Sequence, residues 1–503
     1  MSSLNRILTG SLSGFGKNFF IIFLNIAALP IYLTFWNVET YAIWIIILTI
    51  NSFLKLPIFA YQEYLGNEFL KLGKKKKIEI SQILFGSIII VIIFFLISLF
   101  AIYIIVNFTN INNLIKTNND MLQDIKNAII ILYTSEIIGY SVGIITRALY
   151  PFYYYPKLNF IGLIISIIVP VSQILFLTFG FNVIGLSIVT FIVTNCINLF
   201  YLIYLFKLIK KEKIKFYKYN IIENLKHCKK SGFLIVGKIS EMLKNEGARL
   251  ILAPFLGSIL MLNYVVMRTA NNIMKSFFFS FINSFMIEFI DYINEEKKQK
   301  FHISYTVLYL LMCLIITTSA FFFQIIAPTL FEFWTKNSIP FDNILFASMT
   351  VTFLIMVFYY PGVMILKGKN LYKQDFIISI ITSLIFIMIS IFLIDRFNLR
   401  GVGFSLIIIE IISCILIFYT VNYWLKENFV QFNTNIIFIS LVDLIGTTVF
   451  IFLYMVLENN QIHIIIIYLL FKSLIIKYFW SNILSNQKKE VIEIFNSTFK
   501  SRK

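Results

Sequence analysis

Long apolar runs, most of about 20 residues or more, alternate with short polar clusters along the whole chain, and no shorter periodicity competes with this pattern. About 20 apolar residues in an α-helix are what the hydrocarbon core of a bilayer requires. Runs bounded by polar clusters predict helices over 15–36, 41–60, 81–106, 127–149, 159–179, 184–206, 232–256, 259–287, 303–327, 343–366, 375–394, 401–424, 435–457 and 462–483. The expected fold class is therefore an all-α integral membrane protein with about 14 transmembrane helices. The least apolar of these runs is 232–256, interrupted by Lys238, Glu241, Lys244, Glu246 and Arg249. Omitting it would put the Lys-rich connections on opposite sides of the membrane, so topology retains it.

Composition agrees with this reading. The 503 residues are 59% hydrophobic and 14% charged, with a mean hydropathy of +0.85. Soluble domains carry about 25% charged residues. Little chain remains between the spans for a large extramembrane catalytic domain. The net charge of +18 would suggest nucleic acid in a soluble protein, but the lysines lie in short connections between apolar runs, so no nucleic-acid partner is expected. Connections on one side hold most of the 43 Lys and Arg residues, led by KLGKKKK at 71–77 and KLIKKEKIKFYK at 207–218. The positive-inside rule places that side and both termini in the cytoplasm. The first apolar run follows Arg6 and Lys17, is too long for a signal-peptide core and lacks an A-x-A site, so it is expected to remain as the first helix.

Two segments recur at one offset. KLNFIGLIIS at 157–166 resembles KQDFIISIIT at 373–382, and FNVIG at 181–185 resembles FNLRG at 397–401. The spans then divide into two parallel six-helix repeats, with two extra C-terminal helices. The expected organisation is an N-lobe at 1–206, a basic cytoplasmic linker at 207–231, a C-lobe at 232–424, and a last helix pair with its cytoplasmic tail at 425–503. Parallel repeats of this kind are a transporter architecture with the substrate path between halves.

Ionisable groups at membrane depth cost roughly 2.5–3.5 kcal/mol each on insertion scales, so they mark cavities or partners. In the expected helix over 232–256, Lys238, Glu241, Asn245 and Arg249 fall on one face. In the next helix Tyr264, Arg268, Asn271 and Lys275 do the same. Such mostly basic faces suit a hydrated cavity that accepts an anion, and Arg can grip phosphate oxygens bidentately. Lys55 joins this set of substrate-binding candidates. The alternative is that the charges of 238–249 neutralise one another along their helix while Lys55 and Lys275 snorkel to the headgroups. Glu136 and Glu410 lie near mid-membrane and are candidates for carrying a coupling ion, against the alternative of hydrogen-bonded packing. Asp443 and Lys472, at similar depth on the last two helices, are expected to form a structural ion pair.

The cysteines Cys196, Cys228, Cys313 and Cys414 are widely spaced, and the three histidines stand apart near segment ends, so neither a metal site nor a disulfide framework is expected. No cofactor and no catalytic residue is expected. The two longest outer connections, 107–126 and 328–342, hold no paired catalytic constellation, which argues against a membrane glycan polymerase.

The segments LPIYLTFWNVETYAIW at 29–44, LGSILMLNYVVMRTANNI at 256–273, IAPTLFEFW at 326–334 and FNLRGVGFSLI at 397–407, with the basic loop after the second span, carry a resemblance. They are similar to Wzx-type O-antigen and capsule repeat-unit flippases, of the superfamily that includes MATE drug transporters and lipid II flippases. Asn37 stands where the customary residue is Gly. The resemblance implies a MATE-like transporter fold in the bacterial inner membrane, flipping undecaprenyl-diphosphate-linked oligosaccharides to the periplasmic leaflet by alternating access. It also implies H+ or Na+ as coupling ion, and a glycan polymerase and a chain-length regulator as partners. A cation-exporting MATE-like protein and a lipid II flippase are the alternatives; cationic drugs favour an acidic cavity, whereas the stripes here are net basic.

The side assignment has a direct check. Alkaline phosphatase fused within 107–126 is expected to be exported and active, and the same enzyme fused within 71–77 inactive; equal activity at both positions would overturn the topology.

Overall fold

The computed structural model describes residues 24, 27–108, 122–219, 221–245, 254–294, 298–368, 372–427, 434–457 and 461–482. Its described elements are helical throughout. After a helical stretch over 27–35 come α1 (Val38–Leu72), α2 (Lys77–Phe108), α3 (Leu122–Thr134), α4 (Ile137–Ala148), α5 (Tyr155–Thr178), α6 (Val183–Lys211) and α7 (Ile221–Asn245). These are followed by α8 (Ser258–Asn294), α9 (Lys298–Leu311), a π-helical turn (Met312–Ile316), α10 (Thr317–Thr335), α11 (Asn343–Gly368), α12 (Tyr372–Phe397), α13 (Leu399–Glu427), α14 (Thr434–Val456) and α15 (Gln461–Asn482).

Among the described residues, 11 segments are long and apolar enough to cross a membrane. The sequence predicts 14; of the three others, 15–36 and 232–256 include residues outside the described set, and 259–287 lies within α8, whose side chains from residue 277 on are outside it. Several ends differ from expectation for local reasons. α1 runs on past residue 60 because Tyr61, Gln62, Leu65, Gly66 and Phe69 stay buried at helical spacing, although the exposed face is polar. α7 begins at Ile221 rather than 232, since a helix packed along α1 needs only one buried face. The expected helix over 127–149 breaks at Ser135–Glu136 into α3 and α4, and the expected outer connection at 328–342 is helical to Thr335, with Pro328 inside α10.

Capping explains several starts. Asn37, the departure from Gly noted above, accepts from Thr40 N at 2.7 Å and so caps α1. Asn182 caps α6 through Gly185 N at 2.9 Å. Asp342 accepts from both Ile344 N and Leu345 N at 3.0 Å, and Arg400 Nε at 2.9 Å holds the same carboxylate. The two copies of the repeated sequence start helices at matching places, α6 at Val183 and α13 at Leu399, each directly after its Asn. Their shared glycines are required for close approach: a Cβ at Gly401 would lie 2.3 Å from the Leu393 carbonyl oxygen, and one at Gly185 would lie 2.7 Å from Phe181 Cδ1.

Chain contacts divide the molecule into two units, Met1–Val265 with Trp334–Ile339, and Val266–Phe333 with Pro340–Lys503. In the first, α1 packs on α4 and α7, α3 and α4 pack on α6, and α5 lies along α6. Trp44, Phe69, Tyr133 and Tyr140 fill its core, with Phe95 stacked on Tyr133 at 5.4 Å between ring centroids. On α5, Phe160, Ile164, Ile168, Val171 and Leu175 form an exposed apolar stripe, as a face turned to lipid requires. In the second unit α11 lies against α13 and α14, and its core joins Tyr309, Phe321, Phe353 and Tyr468.

The expected Asp443–Lys472 pair is present and closely held. Lys472 Nζ lies 2.5 Å from Asp443 Oδ1, donates to Thr317 Oγ1 at 2.5 Å, and reaches the Cys313 carbonyl at 3.1 Å. Thr317 Oγ1 also donates to Asp443 Oδ2 at 2.8 Å. The π turn explains the carbonyl contact, because it shifts the Thr317 N–H to Met312 O and opens the backbone ladder at Cys313. α14 and α15 are thereby tied to the start of α10.

Breaking this pair leaves a charge in a dry core, a loss of about 3–5 kcal/mol, whereas replacing both members by apolar residues is often neutral. Lys472→Met is therefore expected to lower the thermal midpoint in detergent strongly and the double variant D443L/K472M to recover it; equal midpoints for the single variant and the parent would refute the structural role.

Candidate functional site

The polar groups of the first unit converge on one face of α1. Asn51, Lys55 and Gln62 are four and seven residues apart, so they share a stripe. Asn51 is buried and donates to Ile47 O at 3.1 Å, while its own carbonyl oxygen has no protein partner. Lys55 Nζ pairs with Glu136 Oε1 at 3.1 Å, and the two side chains keep 17% and 24% of their surface exposed. Glu136 reaches it from the break between α3 and α4, where its backbone leaves helical geometry (φ −96°, ψ 3°). Gly139 makes room for this arrangement: a Cβ there would lie 2.7 Å from Glu136 Oε2 and 3.0 Å from Asn198 Nδ2.

Further along the stripe, Gln62 Nε2 donates to Tyr140 O at 2.9 Å and Gln62 Oε1 accepts from Arg147 Nη1 at 3.0 Å. The same Arg147 nitrogen donates to Gly143 O at 3.0 Å. Gly143 lets α1 and α4 approach, since a Cβ there would meet the Gln62 amide at 2.5 Å. Lys238, on α7, lies 3.5 Å from Glu63 Oε2 with 40% of its side chain exposed.

α8 carries Tyr264, Arg268 and Asn271 buried and Lys275 half-buried, so three of that stripe's four members point into protein. Asn271 Nδ2 donates to Thr350 Oγ1 at 3.4 Å, and Thr350 Oγ1 donates to Gln324 Oε1 at 3.2 Å. Glu410, on α13, is buried and accepts from Tyr359 OH of α11. Glu241 and Asn245 belong to α7 by backbone, but their side chains, like the whole of Arg249, lie outside the described residues.

The structure thus joins Lys55, expected on the substrate path, to Glu136, expected to carry an ion. It also brings in Asn51, Gln62 and Arg147, which the sequence reading did not single out. A signal was available: Asn51, Lys55 and Gln62 follow the same spacing rule that marked Tyr264, Arg268, Asn271 and Lys275. Chemically the stripe sets a cation beside a carboxylate with part of each side chain open, so solvent partly screens the pair. No group of three His, Cys, Asp or Glu suited to a metal occurs among the described residues.

The Lys55–Glu136 coupling can be measured. A double-mutant cycle with Lys55→Ala and Glu136→Ala, read by thermal unfolding in detergent, is expected to give up to about 1 kcal/mol for this partly exposed pair. Additive effects would mean that the two charges do not interact.

No family model and no curated protein matches the chain. Solved structures do. The lipid II flippase MurJ in an inward closed conformation is similar with a TM-score of 0.64 at 17% identity, covering 94% of this chain and 98% of that one. An inward-facing multidrug resistance MATE family transporter of the MOP superfamily gives 0.60 at 14% identity, covering 81% and 94%. A MOP superfamily transporter from Pyrococcus furiosus, described by the reverse polarity of its binding pocket, gives 0.55 at 12% identity, covering 84% and 95%. The chain has the all-helical fold that MATE transporters and MurJ share.

Proposed function

We propose that this protein is a flippase for undecaprenyl-diphosphate-linked oligosaccharide repeat units, the precursors of O-antigen or capsule, which it turns from the cytoplasmic to the periplasmic leaflet of the inner membrane by alternating access. The observation that carries the reading is the basic character of the polar groups held within a transporter fold: Lys55, Arg147, Lys238, Arg268 and Lys275 lie on its helices. A diphosphate needs such groups, and Arg presents a fork that fits its oxygens. A sugar chain needs hydrogen-bonding partners that lipid does not offer, and the side-chain oxygens of Asn51 and Asn271, which accept no hydrogen bond within the protein, are such groups.

In this reading, 1–206 and 232–424 form the two lobes, 207–231 links them at the cytoplasmic face, and 425–503 is an appended pair with its tail. Glu136 and Glu410 are the groups that would carry the coupling H+ or Na+. Glu136 suits this because protonation would free Lys55 for the substrate. A glycan polymerase and a chain-length regulator would take up the product on the far side. The MATE neighbours make export of a cationic drug the second reading, and the buried Glu410 is the feature that favours it.

Mass spectrometry of lipid extracts from cells depleted of the protein distinguishes the two. Accumulated undecaprenyl-diphosphate repeat units together with lost surface glycan are expected; unchanged lipid pools and glycan would reject flipping and favour drug export. Arg268→Ala is expected to abolish surface glycan at undiminished membrane abundance, and full glycan export by that variant would remove Arg268 from the site.

A further inference from the structure

The segment after α6 does not hang as a loose connection. It runs extended along the start of α2, held by side chains of α2 that bond its backbone. Lys77 Nζ donates to Glu212 O at 2.6 Å, Ser81 Oγ to Lys215 O at 2.6 Å, and Gln82 Nε2 to Lys218 O at 3.2 Å, while Tyr217 N donates to Ser81 Oγ at 3.3 Å. Tyr154 OH fixes the Glu212 side chain at 2.7 Å. That bond to the carboxylate, with burial adding to it, pushes the Tyr154 hydroxyl up to about 12, so it remains a donor at neutral pH. Ile214 turns inward and is buried, and Phe216 meets Phe85 edge-on at 4.8 Å between centroids.

This anchoring uses the strap's backbone and leaves its basic side chains outside. Lys213, Lys215 and Lys218 are exposed, as are Lys74, Lys75 and Lys76 in the turn that precedes α2. Two carboxylates in these segments are engaged locally: Glu79 by Lys76 at 3.1 Å, and Glu212 by Tyr154. Apolar groups accompany the lysines, with Phe216 64%, Tyr153 60% and Ile78 52% exposed. The surface lies where the apolar span beginning at Lys77 starts and the one ending at Lys211 stops, which is the level of the headgroups. Basic side chains above aromatic and aliphatic ones at that level match the charge and polarity gradient of an anionic leaflet.

We propose that the pinned strap 212–218 and the turn 74–76 form a binding surface for anionic phospholipid headgroups. The bonds to α2 hold the lysines in one array, so a headgroup meets a preorganised set of cations rather than a flexible basic loop. The proposal concerns bilayer lipid and stands apart from the transported substrate, so its outcome does not depend on the flippase reading.

The test is native mass spectrometry of the purified full chain in micelles doped with phosphatidylglycerol or phosphatidylcholine. The parent is expected to retain phosphatidylglycerol preferentially, with retention falling as salt rises. Each lysine near an anionic surface is worth about a fivefold factor, so K213Q/K215Q/K218Q is expected to bind phosphatidylglycerol at least about tenfold more weakly. K213R/K215R/K218R should bind like the parent, and Ser81→Ala with Gln82→Ala should weaken binding with every lysine in place. Equal retention of the two lipids by the parent, or undiminished phosphatidylglycerol binding by the Gln variant, would overturn the proposal. Displacement of the lipid by equimolar inorganic pyrophosphate would do the same, by identifying a free-phosphate site.

Discussion

In hydrocarbon every polar group must find its partner within the protein, and an ionised side chain that fails to do so costs several kcal/mol. That constraint organises this molecule at two levels. Backbone groups meet it by folding into helices across every candidate span among the described residues. Side chains meet it through a small number of contacts between helices, and these contacts decide which helices are tied together.

Two ion pairs show the alternatives. Asp443 and Lys472 are almost fully buried, and Thr317 and the Cys313 carbonyl satisfy oxygens and protons that the pair leaves over. Such a cluster has little reason to open, and it holds α14 and α15 to the start of α10. Lys55 and Glu136 retain some exposure, and Glu136 sits at a helix break rather than within a regular turn. Their mutual attraction is weaker because water screens it. The same chemical pair is a closed cluster in one place and a partly screened contact in the other, and the difference lies in burial and backbone regularity.

Much of the fold was legible because hydrocarbon imposes a coarse rule on sequence: length and apolarity alone locate helices such as α5, α11 and α14 to within a few residues. The repeated FNVIG and FNLRG segments were also informative, and the structure gives their Asn and Gly physical roles at helix starts. Legibility failed where tertiary packing replaced bulk hydrophobicity. α7 is too polar to register as a span over its first turns, yet one face packs on α1. The break at Ser135–Glu136 lies in a run apolar enough to read as one helix, and the π turn at Met312–Ile316 leaves no mark in an apolar pattern. The ion pair of Asp443 and Lys472 could be anticipated because both residues stand out against apolar neighbours. Within the candidate site, the spacing of Gln62 from Asn51 and Lys55 was a usable signal, whereas Arg147 sits near a polar connection where its presence needs no explanation.

The basic connections illustrate a related limit. Their charge is visible in sequence, but charge alone does not distinguish a solvated loop from a fitted surface. The distinction comes from Ser81 and Gln82, polar residues in the first turns of α2 whose bonds are spent on the backbone of the strap rather than on its side chains. Fixing the backbone reduces the conformational entropy that the lysines would otherwise lose when they meet a headgroup. A segment expected from its charge to set orientation thus holds its lysines in a defined array where the spans begin and end.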